Sequence, residues 1–410
     1  MQTAGSIQAQ MVGRSGVVAT LALCFIIALL EGVDNQSMGV AAPFVARHFG
    51  FSPAQMGLAF SIGSLGLLPG AMLGGRLADR LGRKPVLIYS VVVFGIFSIM
   101  TAHIWDANSL IFSRFMTGLG LGAAMPNLIA LVSEIVPDRL RRTAVSFMYC
   151  GIPLGGAIAS AIGALSVEGG QWRHVFYVGG FAPLILVPLL IFLLPESRNF
   201  LASTVQKEGR IRPAAISTVL FGERRTVLTI ALWVTFFFTL SILFFLMNWL
   251  PSLLVRQGIK PAQVGVIQVL FNVGGAVGAM GFGWLMDRTR AWMVVLCTYV
   301  GIVVALVVLS QSGALGMIYL GAALAGLFLI GAQSILYGLS AVYYPIVMRG
   351  TGSGSAVAVG RFGSFFGPFA AGELLAMGFA PPLLIGAAVP LIVIALISTL
   401  VVVKRPVVKN

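Results

Sequence analysis

Gly75, Asp79, Arg80, Gly82, Arg83 and Lys84 form a charged phrase bounded by glycines, and Gly283, Asp287, Arg288 and Arg290 repeat it 208 residues further on. The same offset relates Gly118 to Gly326, Arg141 to Arg349 and Thr143 to Thr351. Coincidences at one spacing in so apolar a chain indicate a duplicated unit of about half its length. Each copy of the phrase lies between long apolar runs, so the duplicated unit reads as a bundle of membrane helices with a charged turn at one end.

Hydrophobic residues make up 58% of the chain and charged residues 9%, against about a quarter charged in an average soluble domain. A length of 410 residues accommodates twelve spans of about 20 residues. They are expected near 17–42, 53–78, 84–104, 109–135, 143–166, 172–194, 227–250, 262–286, 291–311, 315–343, 351–377 and 381–403. The runs are continuous rather than alternating, which favours helices over barrel strands. The expected fold is all-α: two parallel six-helix bundles, residues 1–195 and 226–410, joined by a cytoplasmic linker at 196–225.

The net charge of +14 would suit a polyanion partner if it were scattered. Instead, with the N-terminus inside, Arg80, Arg83, Lys84, Arg139, Arg141, Arg142, Arg224, Arg225, Arg288, Arg290 and most other basic residues fall on one side. Arg47, Arg173, Arg256 and Lys260 fall in the opposite loops. That bias places both termini in the cytoplasm and accounts for the charge without nucleic acid. The apolar run after Arg14 continues through Glu31 and Asp34 with no small-residue cleavage site, so it reads as an uncleaved first helix. Cys24, Cys150 and Cys297 lie inside spans, no metal-ligand spacing appears among His48, His103 and His174, and no nucleophile–base–acid set suggests an enzyme.

The phrase from Gly75 to Lys84 resembles a signature of the major facilitator superfamily, and Arg114, Gly118 and Gly122 in the fourth span resemble a second one. Glu31-Gly32-Val33-Asp34 in the first span is similar to the Asp-Gly-x-Asp motif of the aromatic acid:proton symporter family, with Glu31 in place of the first Asp. The stretches Arg114–Glu134, Arg142–Gly156 and Gly350–Gly372 look closest to bacterial hydroxyphenylpropionate carriers. The resemblance implies a carrier of the bacterial inner membrane, working as a monomer by alternating access. It would import an aromatic monocarboxylate such as hydroxyphenylpropionate, hydroxycinnamate or hydroxybenzoate. The proton is the coupling ion and no other cofactor is expected. A carrier of a non-aromatic dicarboxylate such as muconate, and a proton-driven efflux pump, are the alternatives. Gly151, Pro153, Gly155 and Gly156 partly match an antiporter motif of the same superfamily.

Four charges lie well inside spans: Glu31, Asp34, Arg114 and Arg361. Each needs a partner or a watery cavity, because a charge at mid-bilayer costs at least ~2.5–3.5 kcal/mol. At ~1.5 Å per residue Asp34 and Arg114 reach similar depths, which makes Arg114 the expected partner of Asp34 or Glu31. A carboxylate that alternates between arginine and a proton suits proton coupling; a lock between helices is the other reading. Arg361 has no acidic residue within a turn on its own span, which suits capture of a substrate carboxylate through a bidentate fork. Asn127, Tyr149, Asn248, Trp249, Gln268, Asn272, Gln333 and Tyr337 fall on spans that line the central cavity in the resembled superfamily. They are candidates for contact with the ring and its hydroxyls. Asp79, Arg80, Arg83, Glu134, Arg142, Asp287 and Arg288 suggest a charge network at the cytoplasmic ends of the helices that holds the two halves closed there when the carrier faces outward; charged loops without that role are the other reading.

Overall fold

The structure is a computed structural model that describes residues 14–137, 140–165, 171–197, 200, 216–222, 225–311, 313–344 and 349–404. The basic residues Arg139, Arg198, Lys207, Arg210, Arg212, Arg224, Arg405 and Lys409, and most of the expected linker, lie outside the described residues. Every regular element described is a helix: α1 Arg14–Phe49, α2 Pro53–Leu81, α3 Arg83–Ala102, α4 Ala107–Ile135, α5 Arg141–Tyr149, α6 Gly151–Leu165, α7 Arg173–Leu193, α8 Ile216–Phe221, α9 Thr226–Arg256, α10 Pro261–Arg288, α11 Ala291–Gln311, α12 Leu315–Val342, α13 Arg349–Ala376 and α14 Pro381–Val403.

Local chemistry explains several boundaries. Ser52 accepts from the Gln55 backbone N–H while the Gln55 side chain accepts from Ser52, and Pro53 starts α2 where no donor is needed. Asp106 caps α4 by accepting from the Ser109 backbone at 2.7 Å. Gly82, at φ +98°, turns the chain sharply between α2 and α3. The fifth expected span is two helices broken at Cys150, because Pro153 has no N–H to give the Tyr149 carbonyl. Tyr149 therefore stands at a break rather than within a continuous helix.

Among the described residues, eleven segments are long and apolar enough to cross a membrane, α5 and α6 counting as one from Thr143 to Leu165. The expected eleventh span, α13, is a full helix of 28 residues outside that set. Seven glycines, three serines and Arg361 dilute its apolarity. α13 packs on α9 and on α2.

The 208-residue offset reappears as geometry. Gly66 of α2 lies against the backbone of Phe115 and Leu119 in α4, and Gly274 of α10 lies against Ala323 and Leu327 in α12. Gly118 abuts the Gly63 carbonyl as Gly326 abuts that of Phe271, and Gly155 meets Leu29 as Gly363 meets Phe237. Every residue in each second contact is 208 positions after its counterpart. The duplication therefore fixes which helices touch and at which residue, through glycines that bring backbones together.

The same symmetry governs the seam between the halves. Gly57 of α2 crosses Gly372 of α13, and its counterpart Gly265 of α10 crosses Ala164 of α6. All four residues sit near the end of the bundle opposite the chain termini, called the far end below. Filling a repeated crossing should cost about 1–3 kcal/mol by overpacking. Gly118→Ala and Gly326→Ala should each lower the thermal midpoint in detergent, whereas Gly281→Ala, whose added methyl meets nothing, should not.

Candidate functional site

Asp34 and Arg114 meet inside the first half. The Arg114 guanidinium donates to both carboxylate oxygens of Asp34, at 3.3 and 3.1 Å. The carboxylate is fully buried and the arginine nearly so. This planar, two-point pair joins α1 to α4 at the depth expected from the sequence. A cavity lined by Asn35, Ser64, Arg114 and Asn248 opens beside the pair, so the arginine also borders space reached from α1, α2 and α9.

Glu31 is one turn earlier on α1, yet it serves a different neighbour. It makes no ion pair with Arg114; the charges acting on it are those of Arg361 and Asp34. Glu31 is buried, and its Oε2 has no hydrogen-bond partner. Arg361, half-buried on α13, makes no side-chain hydrogen bond or ion pair among the described residues. The sequence left Arg361 without an acidic neighbour because only its own helix was legible. The tertiary structure supplies Glu31 from α1, near but not in contact.

Two phenols complete this cluster. Tyr149 lies within electrostatic reach of Glu31, Arg361 and Tyr337, and the Tyr149 and Tyr337 rings are 6.3 Å apart at 40°. Gln333 extends its amide towards the Tyr337 hydroxyl at 3.5 Å, and Phe236 stands edge-on to the same ring at 5.8 Å. A guanidinium with unused donors, a carboxyl group with a free oxygen and a half-buried phenol thus lie within electrostatic reach of one another across the two halves, with a second ring nearby.

The other polar candidates are placed differently. Asn127 donates to the Ala123 carbonyl and Asn248 to that of Phe244, each on its own helix. Trp249 is buried; its ring packs edge-on against Phe60 and its Nε1–H donates to the Pro368 carbonyl at 2.9 Å. Both faces of its chemistry are therefore in use. Gln268 and Asn272 lie buried at the contact between the halves rather than beside Arg361.

At the charged helix ends, the described contacts gather around Glu134 and Glu196. Arg83 pairs with Glu134, whose second oxygen accepts from Ser197 at 2.7 Å. Glu196 accepts from the backbone N–H groups of Arg83 and Lys84 at 2.7 and 3.2 Å, a carboxylate at the N-terminus of α3. These contacts tie α3 and α4 to the start of the linker that leaves α7. Asp79 and Arg80 are exposed and form no ion pair among the described residues. Arg288 stacks over Trp284 of its own helix at 4.4 Å. The side chains of Arg142 and Asp287 lie outside what the structure describes. The sequence reading missed Glu196 and Ser197 because a carboxylate just past a span looks like part of a solvated linker.

Residues 24–368 match the family model described as Major Facilitator Superfamily. The chain is a member of that superfamily. It is 45% identical to a 3-(3-hydroxy-phenyl)propionate transporter of Escherichia coli K12, with 95% of each chain covered. It is 37% identical to a gallate transporter of Pseudomonas putida, over 89% of this chain and 87% of that one. A 4-hydroxybenzoate transporter, also of Pseudomonas putida, is 35% identical over 87% and 86%. Among solved structures, a bacterial homologue of the lysosomal transporter Spinster aligns with a TM-score of 0.74 at 16% identity, covering 96% and 98% of the two chains. A D-xylose–proton symporter aligns at 0.73 and 16%, covering 93% and 97%. The chain is thus a multi-pass membrane carrier and not an enzyme, and the relatives named above transport aromatic acids.

Breaking a buried pair by removing one partner costs about 3–5 kcal/mol, whereas replacing both with apolar residues is often neutral. Asp34→Leu should therefore lower the thermal midpoint strongly, and Asp34→Leu with Arg114→Met should restore it while leaving transport abolished. A double variant no more stable than Asp34→Leu would mean that the pair is not the source of the loss.

Proposed function

We propose that this protein is a proton-coupled symporter that imports an aromatic monocarboxylate across the bacterial inner membrane. Twelve spans, both termini in the cytoplasm, the linker at 196–225 and a monomeric unit belong to this reading. The observation that carries it is the division of the intramembrane charges into two unlike sets: Asp34 satisfied by Arg114, and half-buried Arg361 with donors to spare within electrostatic reach of Glu31 and Tyr149.

Arg361 is the receptor for the substrate carboxylate. Its fork offers two parallel donors at a charge that persists across the working pH range. Tyr149 and Tyr337 give the ring an aromatic wall, and their hydroxyls with Gln333 supply partners for ring hydroxyls. Glu31 faces the same space, so an arriving anion changes the balance between Glu31 and Arg361. Asp34 is the principal proton site. It either pairs with Arg114 or takes a proton and releases that arginine, which lets α1 and α4 move relative to each other. The names of the 3-(3-hydroxy-phenyl)propionate, gallate and 4-hydroxybenzoate relatives support an aromatic acid as cargo.

Purified protein in proteoliposomes should accumulate labelled 3-(3-hydroxyphenyl)propionate or hydroxybenzoate when the outside is made acidic, and muconate should not compete. Asp34→Asn should abolish accumulation while leaving exchange of internal for external substrate, which need not release the proton. Accumulation of muconate alone would move the cargo to dicarboxylates, and substrate extrusion under the same gradient would make the protein an efflux pump.

Arg361→Lys keeps the charge and loses the fork. Losing a charged hydrogen bond is worth about 1.5–3 kcal/mol, or roughly ten- to a hundredfold in affinity. Binding of an acid and of its neutral amide analogue, compared in the original protein and in Arg361→Ala, locates the carboxylate. An undiminished preference for the acid in the alanine variant would move the carboxylate site to Arg114.

A further inference from the structure

The near-symmetry of the two halves makes one departure from it informative. At the far end Gly57 crosses Gly372 and, 208 residues on, Gly265 crosses Ala164. The α2–α13 crossing is accompanied by an apolar joint, Phe60 edge-on to Trp249 at 5.1 Å. The residue equivalent to Phe60 in the second half is Gln268, and the one equivalent to Ser64 is Asn272. Beside the α10–α6 crossing, Asn272 Nδ2 donates to Gln36 Oε1 of α1 at 3.2 Å, and Gln36 Nε2 donates to the Met247 carbonyl of α9 at 3.2 Å. The counterpart of Gln36 is Phe244. One seam is aromatic and its symmetry mate is amide.

Gln36 makes both of the hydrogen bonds found between the two halves among the described residues. Its partners are specific. The Met247 carbonyl would bond the backbone N–H four residues on, but that residue is Pro251, which has none. Pro251 thus leaves an acceptor in α9 that a side chain from the other half satisfies. Asn272 reaches Gln36 past Gly156, where any added Cβ would collide with the Asn272 side-chain oxygen. Gln36, Asn272 and Gln268 are all buried, and both amide atoms of Gln268 lack a partner. Packing alone does not require three amides here, since the aromatic seam closes without them.

Resting on the alternating-access reading above, we infer that Gln36, together with Asn272, is the latch of the far seam: the hydrogen-bonded joint that opens in each transport cycle and sets the fraction of molecules closed at that end. Amides suit a latch in a membrane carrier. Closed, they satisfy each other and the orphaned carbonyl; opened to a vestibule, the same groups are satisfied by water, so breaking the joint leaves no stranded polar group. Asp34, two residues before Gln36, rides on the same helix, so a shift of α1 reaches both.

The test is the distance across the far end. Spin labels at Arg47→Cys and Gln257→Cys, in the full chain with Cys24, Cys150 and Cys297 replaced by alanine, are measured by pulsed electron resonance in liposomes without substrate. An interhelical hydrogen bond in a membrane protein contributes about 0.6 kcal/mol, or about threefold in a population ratio. Asn272→Leu should raise the ratio of long to short distances about threefold and Gln36→Leu about eightfold. The double variant should move it no further than Gln36→Leu. Unchanged distributions in both single variants, or effects that multiply in the double variant, would overturn the latch. If Gln36→Leu fails to give monodisperse protein, Asn272→Leu alone decides: no shift overturns the proposal and a threefold shift supports it. The labels report on substrate-free protein, so failure here leaves the aromatic-acid reading untouched, and failure of that reading leaves this result standing.

Discussion

Hydrocarbon gives one apolar helix no reason to prefer another, so a bundle in a membrane is held by how closely backbones approach and by whether every polar group finds a partner. Both conditions shape this protein. Glycines at Gly66, Gly118 and Gly155 and their counterparts at Gly274, Gly326 and Gly363 bring pairs of helices into backbone contact at matched levels in both halves. The charged phrases and the functional side chains depend on that frame, because a gap of a few ångströms would separate Asp34 from Arg114.

Polar groups in the interior fall into three kinds. Some are spent on their own helix, as Asn127 and Asn248 are on the carbonyls four residues before them. Some are matched across helices, as Asp34 is with Arg114 and Gln36 with Met247 and Asn272. A few are left with unused capacity among the described residues: Arg361, the second oxygen of Glu31, the Ser61 hydroxyl and the amide of Gln268. In a medium without water the last kind is expensive, and it is concentrated where the halves face each other. A static helical scaffold has no use for such groups, whereas a carrier that must exchange partners during its cycle does.

The sequence was most legible where chemistry is local or repeated. Depth alone brought Arg114 level with Asp34 and Glu31, since helix rise converts residue number into height, and left open which of the two it meets. The same arithmetic could not give azimuth. It left Glu31 and Asp34 as companions on one face of α1, although only Asp34 pairs with Arg114 and Glu31 lies within electrostatic reach of Arg361. It made Trp249 a ring-packing candidate, although Phe60 and the Pro368 carbonyl already occupy it. Nor could it show that Arg83 and Ser197 share the Glu134 carboxylate. Gln36 carried a signal that could have been read, a polar residue beside Glu31, Asp34 and Asn35 in one apolar run, but one of its two partners is a carbonyl, which has no letter in a sequence.

What the sequence by itself determined is the class of the molecule. Apolar runs of bilayer length, the bias of basic residues to one side and the 208-residue repeat each follow from transfer energies and periodicity, which depend only on residue type and order. Tertiary structure alone decided which charges meet, which stay unsatisfied and where the two halves join. Those outcomes turn on the rotation of each helix about its axis and on carbonyls freed by proline in a neighbouring helix. Both are properties of packed pairs, so no single stretch of chain contains them.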